Sequence, residues 1–158
     1  MKMGQFILGF IIAFALTSAE DLTRPVFEEV IPGTSKIVLV TEGVLEPRSI
    51  GSYSLRVYAG ADPRFPYDHF LDGDIRPRNG VVESIEFKDF NGDSQLEIIV
   101  IMRSVGTGGY LSADAFQLKD GKLVLLSTVA GLSKVADPLL VLSKKMSRES
   151  DHQQKVQD

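Results

Sequence analysis

The chain has 158 residues, with 17 Lys and Arg against 21 Asp and Glu, a net charge of −4 and no Cys. Mild acidity excludes a nucleic-acid binder, whose phosphates demand a basic face. The missing Cys excludes a disulfide scaffold, a thiolate metal site, a thiol nucleophile and lipid attachment through cysteine, and the length suits one hydrophobic core.

In chain order, Lys2 is followed by the apolar run Phe6 to Leu16, then by small Thr17-Ser18-Ala19 and acidic Glu20-Asp21. That is the layout of a secretory signal peptide. The run is shorter than the roughly 20 residues needed to cross a bilayer. Cleavage is placed after Ala19, which makes residues 1–19 a signal peptide, 20–142 a folded domain and 143–158 a polar, disordered tail. Removing residues 1–19 takes away Lys2 alone among the charged side chains, so the net charge becomes one unit more negative. Export without Cys points to a bacterial periplasm, with no membrane attachment after cleavage.

Lys36 to Thr41 is β-branched and ends at Glu42-Gly43. Ser52 to Tyr58 alternates, with Tyr53, Leu55 and Val57 on one side and Ser52, Ser54, Arg56 and Tyr58 on the other. This period of two marks a half-buried strand. Asp62 to Gly80 is dense in Pro, Asp, Gly and Arg and reads as a long connection. Strand pattern resumes over Val81–Phe87, Leu96–Met102 and Tyr110–Leu118. Asp120-Gly121 then turns the chain into Lys122–Thr128, because Gly tolerates the positive φ of a primed hairpin turn. Six strands with short turns predict an all-β fold, an antiparallel β-sandwich or partly closed barrel forming a single domain.

Two segments carry candidate chemistry. The first is Asp89-Phe90-Asn91-Gly92-Asp93-Ser94-Gln95-Leu96-Glu97. Its Asp89, Asn91, Asp93 and Glu97 place oxygens at loop positions 1, 3, 5 and 9, a spacing suited to a hard cation such as calcium. It resembles the calcium loops of FG-GAP-type propeller repeats, with Ser94 where those loops place a Gly. The competing reading is a tight turn whose Asp89 and Asn91 bind their own backbone, and this is favoured.

The second segment is Ser104-Val105-Gly106-Thr107-Gly108-Gly109-Tyr110-Leu111-Ser112. Its glycines permit a protruding loop among hydroxyls at Ser104, Thr107 and Ser112 and the phenol of Tyr110. No Lys follows the glycines and strand rather than helix comes next, which argues against a phosphate cradle.

This loop, the preceding Ile98-Ile99-Val100, the following Ser112-Ala113-Asp114-Ala115-Phe116 and the Asp89–Asp93 turn together resemble the periplasmic inhibitors of invertebrate-type lysozyme. That family carries a Ser-Gly-x-Tyr motif which enters the lysozyme's substrate cleft. Thr107-Gly108-Gly109-Tyr110 matches it with Thr for Ser, which keeps the hydroxyl and adds a methyl. The resemblance implies a β-sandwich inhibitor that is not an enzyme, with an invertebrate-type lysozyme as partner, a homodimeric state and no cofactor. It further implies that Ser104, Thr107, Gly108, Gly109, Tyr110 and Ser112 form the lysozyme-binding loop. The alternative is a periplasmic calcium-binding or adhesion-type β module using Asp89, Asn91, Asp93 and Glu97.

The rest is weaker. Tyr67-Asp68-His69 with Asp72 and Asp74 has no metal-ligand spacing. Arg76, Arg78 and Arg103 read as solvated surface. No Ser-His-Asp arrangement and no carboxylate pair spaced for glycoside hydrolysis can be picked out.

Overall fold

The computed structural model describes the backbone of residues 26–157 and the side chains of residues 26–149. The signal peptide assigned to residues 1–19 lies outside the described residues. Among the described residues, eight strands are followed by one helix: β1 Val26–Val30, β2 Ile37–Glu42, β3 Ile50–Tyr58, β4 Phe70–Asn79, β5 Val81–Lys88, β6 Glu97–Arg103, β7 Leu111–Lys119, β8 Lys122–Leu132 and α1 Pro138–Gln157. The strands form two four-stranded antiparallel meanders, β1-β2-β3-β4 and β5-β6-β7-β8. The architecture is an all-β sandwich, and among the described residues no sheet closes into a barrel.

Alternation places the core. Val38, Val40, Tyr53, Leu55 and Val57 of the first sheet pack against Val82, Ile85, Ile98, Val100, Met102 and Phe116 of the second. Strand β6 is apolar from Ile98 to Met102 because both of its faces are covered. Ile98, Val100 and Met102 face the first sheet, while Ile99 and Ile101 belong to a second cluster with Leu111, Ala113, Ala115, Val129 and Leu142. Leu142 comes from α1, so the helix covers the outer face of the second sheet.

This helix corrects the disordered tail expected from residue 143. Asp137 accepts from Leu139 N at 2.9 Å and Leu140 N at 3.2 Å, and Pro138 occupies the first helical position. Both are helix-start signals. Leu139, Leu142 and Met146 then form the stripe that docks, and Lys145 Nζ donates to Thr128 O at 2.7 Å. The domain therefore continues past residue 142. Strand β4 corrects the long connection expected between Asp62 and Gly80. Its Pro77 pairs opposite Ser52 at the sheet edge, where a missing N–H costs little.

Arg78 corrects its reading as surface. It is buried, donates to Arg48 O at 2.9 Å and to Gly80 O, and stands 3.5 Å from Glu42 and 3.6 Å from Glu46. A buried guanidinium is tolerated only when ringed by acceptors in this way. Asp114 is likewise buried between the sheets. It accepts from Tyr53 Oη at 2.6 Å and Thr128 Oγ1 at 2.7 Å, and Arg76 Nε lies 3.4 Å away. Burial and the adjacent carboxylate push the Tyr53 phenol far above its ordinary range, so it stays a donor.

Because neighbouring strands run antiparallel, the links fall at alternate ends. Links 43–49 (β2–β3), Gly80 (β4–β5), 104–110 (β6–β7) and 133–137 (β8–α1) share one end. Links 31–36, 59–69, 89–96 and 120–121 share the other. The two segments singled out by sequence thus cap opposite ends of one strand, β6.

Candidate functional site

The glycine-rich link is closed at its base by two reciprocal bonds. Ser104 N donates to Tyr110 O and Tyr110 N donates to Ser104 Oγ, both at 2.8 Å. Arg103 Nη1 donates to Gly109 O at 3.1 Å, and Arg103 Nε meets Glu83 at 2.9 Å. Positive φ occurs at Gly106 (+128°) and Gly109 (+53°), and the latter turns the chain back toward β7. The Tyr110 ring lies over Gly108: a Cβ added there would stand 2.4 Å from a ring carbon. Thr107 is exposed and Tyr110 is 56% exposed.

The structure brings Ser104, Thr107, Gly108, Gly109 and Tyr110 together but divides their roles. Ser104 braces the loop from inside, and its oxygen already accepts a backbone N–H. Ser112 stands apart: it lies in β7 opposite Met102 and is half-buried. Arg103 and Glu83 were missed as parts of the site. Their pairing crosses from β6 to β5, a contact no local motif encodes.

At the other end of β6, the acidic segment turns on itself. Asp89 accepts from Gly92 N at 2.6 Å and Ser94 N at 3.0 Å, Asn91 Oδ1 from Asp93 N at 2.9 Å, and Asp93 from Gln95 N at 2.7 Å. Gln117 of β7 also donates to Asp93, at 2.8 Å. These donors hold the Asp93 carboxyl below its usual range, the Gln95 amide foremost. Glu97 is fully buried; one oxygen takes Phe90 N at 2.8 Å and the other has no hydrogen-bond partner. Burial raises its carboxyl above the ordinary range. Among the described residues, no three acidic, His or Cys side chains gather to hold a metal. The oxygens are mostly engaged with their own backbone, the arrangement of an Asx turn. His69 is exposed in the 59–69 link, away from the glycine-rich loop.

The family model described as periplasmic lysozyme inhibitor of I-type lysozyme matches residues 27–146, nearly all of the described sandwich. The chain belongs to this family. Among solved structures, the chain is similar to PliI-Ah, the inhibitor of I-type lysozyme from Aeromonas hydrophila. It shares 42% identity with a TM-score of 0.69, over 74% of this chain and 98% of that one. It is also similar to Aeromonas hydrophila PliI in complex with Meretrix lusoria lysozyme, at 44% identity and a TM-score of 0.69, over 74% of this chain and 94% of that one. No curated protein matches the chain. Family membership makes this protein an inhibitor of I-type lysozyme that acts in the periplasm.

Proposed function

We propose that the inhibitor acts by inserting its 104–110 loop into the substrate cleft of an invertebrate-type lysozyme, by binding alone and without a cofactor. The observation that carries this reading is a tyrosine held half-exposed on a loop whose base is already closed. Glycoside hydrolysis uses two carboxyl groups, one as general acid and one as nucleophile or stabiliser. Thr107 and Tyr110 supply O–H donors to such groups, and each hydrogen bond to a charged acceptor contributes about 1.5–3 kcal/mol. The Tyr110 ring fills space a sugar would take, and Tyr is a common binding hot spot. The closed base lowers the ordering cost of association. In the lysozyme complex of the Aeromonas hydrophila protein, a relative of the same family is recorded bound to such an enzyme. The homodimer implied by the resemblance belongs to the proposal; sedimentation equilibrium checks it, and a monomer mass at assay concentration would remove it.

Residual muramidase activity tests the reading. Tyr110→Ala is expected to weaken inhibition about 100-fold, a hot-spot loss of some 2–4 kcal/mol. Ser112→Ala, in the strand, is expected to change it less than about twofold. Equal losses, or none, would remove Tyr110 from the interface.

A further inference from the structure

Resting on the insertion of this loop, we propose that Leu45 and Val135 are flanking contacts, seated on the two walls of the lysozyme cleft while the loop fills its floor. A seven-residue loop is too small to form a stable interface by itself. Specific interfaces bury about 800 Å² and engage roughly 20–30 residues on each side. The missing area must come from what adjoins the loop, and the structure shows what does.

The end of the sandwich is continuous on both sides of the loop. On one side, Gly80 in the β4–β5 link has φ +103°, and a Cβ there would meet Arg103 O and Ser104 Cα, so the two backbones are in contact. Gly80 N in turn donates to Ser49 O at 2.9 Å, joining the 43–49 link to the same ledge. On the other side, the Cβ of Lys134 lies 3.6 Å from where a Gly109 Cβ would stand, so the 133–137 link abuts the loop.

Each flanking link is pinned and presents aliphatic side chains outward, Val44 and most fully Leu45 in the first and Val135 in the second. In the first, Glu46 N donates to Gly43 O at 3.3 Å, while the Glu46 carboxylate folds back to accept from Ser52 N and from Ser52 Oγ at 2.8 Å. Buried Arg78 holds the same link through Arg48 O and Pro47 O. Leu45, between these fixed points, is 93% exposed. In the second, Ala136 N donates to Ser133 O at 2.9 Å and Asp137 caps α1. Val135 is 84% exposed there.

Single exposed aliphatics are ordinary on a protein surface. These two differ in standing on ordered turns, one abutting the loop at Lys134 and the other reaching it from the opposite side through Gly80. A side chain on a pinned turn loses little freedom on docking. The matching partner surface is the rim of a sugar-binding cleft, where apolar and aromatic side chains receive the C–H faces of sugar rings.

Biolayer interferometry with an immobilised invertebrate-type lysozyme and the mature inhibitor tests this. The variants are Leu45→Ser, Val135→Ser, the two combined, Tyr110→Ala and a control, Val30→Ser, an apolar side chain 53% exposed on the outer face of the first sheet. Each flanking variant is expected to dissociate roughly five- to tenfold faster, with near-multiplicative loss in the double variant and none in the control. Unchanged Leu45 and Val135 variants beside a failing Tyr110 variant would overturn the flanking contacts and leave loop insertion standing. Losses at Leu45 and Val135 with an unaffected Tyr110 variant would support the flanking surface and overturn insertion. A loss in the control as large as theirs would overturn the proposal, since the effect would then be general.

Discussion

The two links that bound β6 show how differently a turn can use its polar groups. In the 89–96 link, Asp89, Asn91 and Asp93 bind the backbone of the link itself, and Gln117 adds a bond from β7. It is a self-sufficient cap, and its side chains have little left to offer a partner. In the 104–110 link the closing bonds run through backbone and through Ser104, Arg103 and Glu83 at the base. Thr107 and Tyr110 are thereby left facing solvent on a defined scaffold. Acidic content is thus a poor guide to a site; the side chains that the local fold leaves uncommitted are a better one.

Substitutions can break this contrast in graded fashion. After Tyr110 itself, the largest effect is expected from Gly108→Ala. The new methyl overlaps the Tyr110 ring, 2.4 Å from its nearest carbon, and must displace it. Inhibition should weaken roughly tenfold or more with Tm little changed, because overpacking strain of about 1–3 kcal/mol falls on the exposed loop. An unaltered inhibition constant would mean that the ring's observed pose is irrelevant to binding. Arg103→Gln should cost roughly fivefold by freeing Gly109 O and raising the ordering cost of docking. The loss should appear as a less favourable binding entropy in calorimetry, and an unchanged entropy would contradict the bracing role.

At the opposite end the expected pattern inverts. Asp89→Ala removes acceptors from Gly92 and Ser94 amides and should lower stability by about 1 kcal/mol while leaving inhibition intact. Denaturant melts and the muramidase assay together decide it; loss of inhibition would join the two ends functionally.

Glu97→Gln gives the smallest effect, seen only against pH. Burial raises this carboxyl above its unfolded value of about 4.5, so the folded state holds its proton more tightly. Its contribution is most favourable below that value and is lost as pH rises through the raised one. The Gln variant should therefore gain stability at neutral pH relative to the parent, with the gap closing near pH 4. Asp72 and Asp93 work the other way: their lowered carboxyls favour the fold above about 3.8, and that support is lost on further acidification. A pH-independent gap between variant and parent would remove Glu97 from this account.

Much of the sandwich was legible because alternation and turn residues are local. The Tyr53, Leu55 and Val57 series and the Asp120-Gly121 turn announced β3 and the β7–β8 hairpin. Strand β4 escaped because Gly73 and Pro77 interrupt its pattern, and edge position alone makes Pro77 acceptable. The helix carried a readable cap at Asp137-Pro138, but Leu139, Leu142 and Met146 make a sparse stripe in a polar segment. The loop was legible from its glycines and Tyr110, whereas its braces were not.

The sequence by itself determined the β class, the covered strand β6 and the position of the glycine-rich loop, since each is written in a local pattern of polarity or backbone freedom. The tertiary structure alone decided that Arg78 and Asp114 are buried, that Ser104 works inward while Tyr110 faces out, and that Leu45 and Val135 flank the loop. Those outcomes depend on which residues distant in sequence meet across two sheets, and burial and hydrogen-bond satisfaction are properties of that meeting.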